Sequence, residues 1–167
     1  IVPSGVDRPK VGIVGEIYLK FNPFAQKGLT DWLVEQKIEV VSPVLADFFM
    51  QGFVNRDVKL RTGLEKSRIP DWLMRRIFAW MCIRDRFAWM QGIIDSYNAA
   101  ASSFEYFRPL GNIYHEAAAA SKIISLNARF GEGWLLPGEI ATFAASGVNN
   151  VVSLQPFGCI ANHIVAK

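Results

Sequence analysis

The sequence predicts an α/β fold: a Rossmann-like, mostly parallel sheet flanked by helices, with a helical insertion around residues 56–100. Three observations predict it. Short apolar runs at Lys10–Gly15, Glu39–Ser42 and Val151–Leu154 are bounded by Gly, Pro or polar turns, as buried strands are. Between them lie stretches whose apolar residues recur at helical spacing. The first strand, a helix and the second strand fit within about 33 residues, the length of a βαβ unit.

Each element follows from its residues. Lys10-Val-Gly-Ile-Val-Gly15 is the first strand, and Gly15 turns the chain off it. Glu16 to Phe24 reads as a long loop, with Pro23 ending any regular structure there. Thr30–Gln36 is helical, with Leu29, Trp32 and Leu33 on one side. Glu39–Ser42 is the second strand, closed by Pro43, and Leu45–Phe53 is the next helix. From Arg68 to Asn98 apolar and arginine residues recur every three or four positions, which gives one long helix or two broken near Gly92. Trp72, Trp80 and Trp89 fall in this stretch and are expected to pack between helices. His115–Leu126, with four consecutive alanines, is a helix suited to close packing. Gly131-Glu-Gly133 is a flexible loop, and Pro137–Ala145 a helix stopped by Ser146-Gly147. Val151–Leu154 is the final parallel strand, and another helix starts near Gly158.

Composition narrows the function classes. The chain has 167 residues, enough for a single α/β domain with its own core, and its 51% apolar and 13% aromatic content argues against disorder. It begins at Ile1 and stops at Lys167, so it reads as one domain or as a fragment of a larger multidomain protein. No apolar run approaches the roughly 20 residues that span a bilayer, and no signal-peptide pattern opens the chain. Two cysteines, Cys82 and Cys159, are too few for a disulfide framework, so a reduced, cytoplasmic protein with no membrane partner is expected. The net charge is +3, but residues 56–86 carry an excess of five positive charges. Such a segment attracts phosphates or an acidic partner. Nucleic acid is not the expected partner, since no strand interleaves basic and aromatic residues as a stacking platform.

Candidate sites lie where an open α/β sheet places ligands, past the carboxyl ends of its strands. After the first strand, Gly15, Glu16, Tyr18, Lys20 and Asn22 form a polar loop facing that crevice. The spacing of Gly12 and Gly15 does not make a dinucleotide fingerprint, and no phosphate-binding Walker loop is present. After the last strand, Pro156-Phe157-Gly158-Cys159 forms a turn, with His163 four residues beyond the thiol. Cys159 and His163 could form a nucleophile and its base, or give two ligands to a metal. A small buried thiol beside a capping histidine is the plainer reading. His115-Glu116 reads as a helix cap. Glu132 and Glu139 show no acid–base spacing, and Glu139 is placed in the first helical turn, where it favours the dipole.

Three segments resemble a known family. They are Arg8-Pro-Lys-Val-Gly-Ile-Val-Gly-Glu-Ile-Tyr-Leu-Lys-Phe-Asn-Pro-Phe24, Gly133-Trp-Leu-Leu-Pro-Gly-Glu-Ile140, and Gly147 through Gln155-Pro-Phe-Gly-Cys-Ile-Ala-Asn-His163. They look like the dehydratase-like portion of large CoA-substrate-specific enzyme activase proteins, relatives of the 2-hydroxyacyl-CoA dehydratases and benzoyl-CoA reductases. The resemblance implies a Rossmann-like accessory domain linked to iron–sulfur electron transfer for acyl-CoA dehydration or reduction. Its implied partners are other domains of a parent protein, or a dehydratase or activase subunit, with acyl-CoA as substrate. It implies that Cys159 is a ligand of a four-iron (4Fe-4S) cluster or lies near one, with Phe157 and Gly158 beside it. Ser153 stands where a second cysteine is expected, so the cluster is incomplete in this chain alone. Two rivals remain open: a cofactor-free interaction domain, and an enzyme in which Cys159 acts as nucleophile with His163 and Glu16.

Overall fold

In the computed structural model, residues 8–63, 84–104 and 107–165 are described. Three strands, β1 (Lys10–Gly15), β2 (Glu39–Val41) and β3 (Asn150–Leu154), form one open parallel sheet in the order β2-β1-β3. β1 pairs Lys10 with Glu39 on one side and runs from Val11 against Asn150 to Gly15 against Leu154 on the other. As the central strand it is covered on both faces, and Ile13 and Val14 are fully buried. That is why its sequence is a continuous apolar run rather than an alternating one. With its flanking helices this is a Rossmann-like α/β architecture.

Seven helices connect the strands among the described residues: α1 (Ile17–Phe21), α2 (Leu29–Glu35), α3 (Leu45–Thr62), α4 (Arg84–Ala101), α5 (Ile113–Ala120), α6 (Leu135–Ala145) and α7 (Ile160–Val165). α1 replaces the expected loop. The Glu16 carboxylate accepts from the Leu19 amide at 3.0 Å, and the helix closes where Asn22 N donates to Tyr18 O. α3 runs well past Phe53, and Gly63 caps its C-terminus. α5 starts two residues earlier than expected, because Asn112 Oδ1 accepts from Tyr114 N at 2.9 Å, and it gives way to tight turns after Ala120. Trp72, Trp80 and Cys82 lie outside the described residues. Trp89 is two-thirds exposed, so the expected interhelical packing does not hold for it.

α6 begins at Leu135, with Pro137 in its first turn, where a missing N–H costs no hydrogen bond. The preceding Gly131–Gly133 segment is pinned rather than flexible: Trp134 N donates to Ala128 O at 2.6 Å, and the Glu132 carboxylate accepts from Ile17 N at 2.8 Å. α6 divides two cores. Leu136 and Phe143 join Val14, Val41 and Val148 against the sheet. Trp134 and Leu135 join Met50, Val54, Ile94 and Ile113 in a helical core built with α3, α4 and α5. The Trp134 indole N–H donates to Asn55 Oδ1 at 2.7 Å, which satisfies its polar atom at the edge of that core.

Two glycines set the spacing. A Cβ on Gly12 would come within 2.5 Å of the Phe143 ring, so the bare backbone lets that ring lie on β1. Gly15 has φ near +119°, and its missing Cβ makes room for the Leu154 carbonyl, which also accepts from Glu16 N at 2.9 Å. Gly15→Ala therefore meets backbone strain and a steric clash together. It is expected to cost at least about 2 kcal/mol, read as a lower urea midpoint with an unchanged slope.

Candidate functional site

Parallel strands end together, so the loops after β1, β2 and β3 share one edge of the sheet. The chain leaves β1 toward β2 on one side and returns to β3 on the other. This reversal is the topological arrangement at which open α/β sheets place their ligands.

On the β3 side, the structure brings the two loops singled out by sequence to neighbouring positions, joined by the Glu16–Leu154 backbone bond. Glu16 is used as the α1 cap, and Asn22 Oδ1 accepts from Phe24 N at 2.9 Å to hold the following turn. Tyr18 is exposed. Phe157 is 99% exposed, and a Cβ on Gly158 would meet nothing within 4 Å. Cys159 is a free, partly exposed thiol immediately before α7. The His163 ring does not pair with it through Nε2, which lies 2.8 Å from the Phe157 carbonyl and ties the turn to α7. Among the described residues, no three His, Cys, Asp or Glu side chains converge as a metal site. For an iron–sulfur cluster, then, the described residues offer Cys159 as one ligand, where four are needed.

Lys20 behaves differently from its loop neighbours. It is 4% exposed and turns inward, where its Nζ lies 2.6 Å from Glu139 Oε1. Glu139 is in the second turn of α6 rather than the first, is 2% exposed, and serves this ion pair instead of the helix dipole. Its other oxygen, Oε2, is buried without a hydrogen-bond partner. Glu116 on α5 packs against the same place. Gly138 permits this, since a Cβ there would come within 2.9 Å of the Glu116 Cγ. Asp47, on the first turn of α3, completes the group. Asp47, Glu116 and Glu139 all line an open cavity of about 740 Å³ between the end of β2, α3, α5 and α6.

No family model, no curated protein and no solved structure matches this chain. What the site can do follows from its own residues. Among the described helices, none is long and apolar enough to cross a membrane.

The electrostatics of the cavity are those of carboxylates outnumbering their cation. Burial, then the charges of Asp47 and Glu139, push the Glu116 carboxyl up to about 8, against the opposing pull of Lys20. Burial pushes Glu139 up to about 7, although Lys20 lowers it both as a charge and as a hydrogen-bond donor. Burial likewise lifts Asp47 to about 6. Near neutral pH the group thus holds protons that solvent-exposed carboxylates would have lost.

Sequence reading missed this group because its members come from four elements. A weak signal was present: Gly138 and Ala141 flank Glu139, while Ala117 and Ala120 follow Glu116. Small residues there let backbones close in around the carboxyls.

Two measurements check these electrostatics. Carboxyls whose folded pKa is raised bind more protons folded than unfolded, so the stability they contribute is full at low pH and is lost as pH rises through the folded values. Unfolding free energy should therefore fall between about pH 5 and about pH 8, by up to about 1.4 kcal/mol per pH unit for each such carboxyl. Glu116→Gln should flatten that slope and raise stability at the alkaline end. Lys20→Met leaves Glu139 buried without its cation and should destabilise by about 3 kcal/mol at alkaline pH. The loss should shrink on acidification, when Glu139 takes a proton; equal losses at both ends would show that the pair does not act as ions.

Proposed function

We propose that this chain is an accessory α/β domain of the CoA-substrate-specific enzyme activase or 2-hydroxyacyl-CoA dehydratase-related kind. In this reading it contributes to iron–sulfur electron transfer on an acyl-CoA by presenting one thiolate to a neighbouring domain or subunit. The observation that carries it is Cys159: a free, partly exposed thiol on the turn past β3, beside a fully exposed Phe157 and in no group of three or more possible ligands among the described residues. The likeness of the Pro-Phe-Gly-Cys turn and of the Gly133–Ile140 and Arg8–Phe24 segments to that family supports it. A ligand that stands at a protein surface serves a cluster whose other ligands come from elsewhere. Cluster chemistry therefore belongs to the joined assembly, and this chain supplies the thiol, the aromatic rim and the rigid sheet that positions them.

A second reading has its own support. With one thiol and no converging ligand set among the described residues, the same exposed turn also suits a cofactor-free interaction domain. Anaerobic reconstitution with iron and sulfide separates the two. If the first reading holds, the chain takes up iron with a paramagnetic-resonance signal after reduction, at about one cluster per pair of chains or fewer. Cys159→Ser should abolish that uptake, while His163→Ala should keep it. Uptake that survives Cys159→Ser rejects Cys159 as the ligand, and no uptake by a folded wild-type chain, alone or mixed with a dehydratase or activase partner, favours the interaction domain.

A further inference from the structure

β3 is paired on one side only, with β1, and among the described residues no strand lies along its other edge. Leu154 O accepts from Glu16 N, so by the period of two Val152 and Leu154 turn their backbone groups to β1, while Val151 and Ser153 turn theirs outward. The other edge strand, β2, is guarded. It has three residues, its Glu39 carboxylate meets Lys10 and Arg108, and Pro43 follows it closely. β3 has none of these guards. Residues 140–166 contain no Asp, Glu, Lys or Arg, and the first proline after β3 is Pro156.

α7 lies against α6 on this flank, and its Val165, like Val151 of β3, packs on the sheet core. The polarity of this helix is inverted. Asn162 is fully buried with neither amide atom hydrogen-bonded, while Ile160 and Ile164, one turn apart, are 73% and 63% exposed. A helix that faces solvent ordinarily does the reverse. Phe157, in the turn before the helix, is wholly exposed. Together these three side chains present roughly 400 Å² of apolar surface, the size at which exposed patches mark interaction sites.

We propose that two copies of this chain associate across this flank, β3 to β3 in antiparallel register, with the exposed faces of the two α7 helices beside the joint. The edge is complementary to itself. With the two-fold axis at Val152, Val151 of each copy meets Ser153 of the other, and every outward N–H and C=O at those two positions finds a partner. Charge favours a second copy over other occupants. The chain carries +3, so most of its surface opposes self-contact, whereas two uncharged flanks meet without that cost. A charged partner finds no counter-charge on this flank, and a lipid surface finds no lysine or arginine to hold its headgroups. Area agrees. The half-exposed Val151, Val152 and Leu154 add to the apolar patch and bring it toward the roughly 600 Å² per partner at which specific interfaces begin. The association goes beyond the thiol reading and does not rest on it, since antiparallel pairing leaves the two Cys159 turns at opposite ends of the joint.

The test is sedimentation equilibrium of the full chain in reducing buffer, from about 5 to about 500 µM. We expect a dimer with a dissociation constant on the order of 10–100 µM, which salt does not weaken between about 0.05 and about 0.5 M because no ion pair joins the copies. Ser153→Pro removes an outward N–H and no bond to β1, and should weaken the dimer by at least about tenfold. Ile160→Asp combined with Ile164→Asp, at positions already in solvent, should do the same. Trp89→Asp, on the exposed face of α4, should leave the dimer unchanged, as should Cys159→Ser, which removes the thiol but not the joint. If Ser153→Pro does not keep the wild-type circular dichroism, the paired aspartates decide. A chain that stays monomeric at about 500 µM, a dimer that salt dissociates, or a dimer that the proline and the aspartates both leave unchanged would overturn the proposal.

Discussion

The Lys20–Glu139 ion pair is the constraint on which the rest of this end of the molecule depends. It joins the first helix after the central strand to the helix that separates the two cores, with both side chains removed from solvent. A buried pair of this kind adds little net stability compared with apolar packing, because both charges lose their hydration. Its effect is selective. Only one placement of α1 against α6 satisfies both ions, so the pair fixes where the chain goes after β1. It also sets the scarcity of positive charge around it: once Lys20 is engaged, Glu116 and Asp47 retain only a share of its field.

The sheet order divides the chemistry of the C-terminal edge. Thiol, imidazole and an exposed aromatic ring lie past β3, and carboxyls and an apolar cavity lie past β2. β1 stands between them, and the segment that follows it contributes the backbone amide that holds the β3 end, Glu16 N, and the lysine that serves the β2 end, Lys20 of α1. A short segment of consecutive residues thus services both sides, with alternate side chains sent to solvent and interior. Tyr18 is exposed and Lys20 buried within one turn of helix.

β1 was legible in the sequence because the central strand of a parallel sheet is buried on both faces, which leaves the uninterrupted apolar run Val11–Gly15, whereas the edge strand β3 shows only Val151, Val152 and Leu154 around an exposed Ser153. α1 was not, since five residues are too few to display a period; it exists because Glu16 caps it and Lys20 anchors it. The start of α6 was misplaced for a related reason. Pro137 reads as a first residue, yet it is equally at home at the third position of a helix, and that shift moved Glu139 from an exposed first turn into the interior. The Cys159 turn was visible because its residues are contiguous. The Asp47, Glu116 and Glu139 group was not, because it forms only when α3, α5 and α6 meet, and tertiary convergence leaves no local periodicity to read.

α6 has a further role as the shared wall of two cores, with adjacent residues Leu135 and Leu136 facing opposite ways. A rotation that improved the packing of one face would withdraw the other. The sheet layer and the helical layer therefore cannot loosen independently, and a disturbance on either side is transmitted to the other as a turn of a single cylinder. This makes the described part of the chain one cooperative unit rather than a rigid sheet with a loosely attached helical cap.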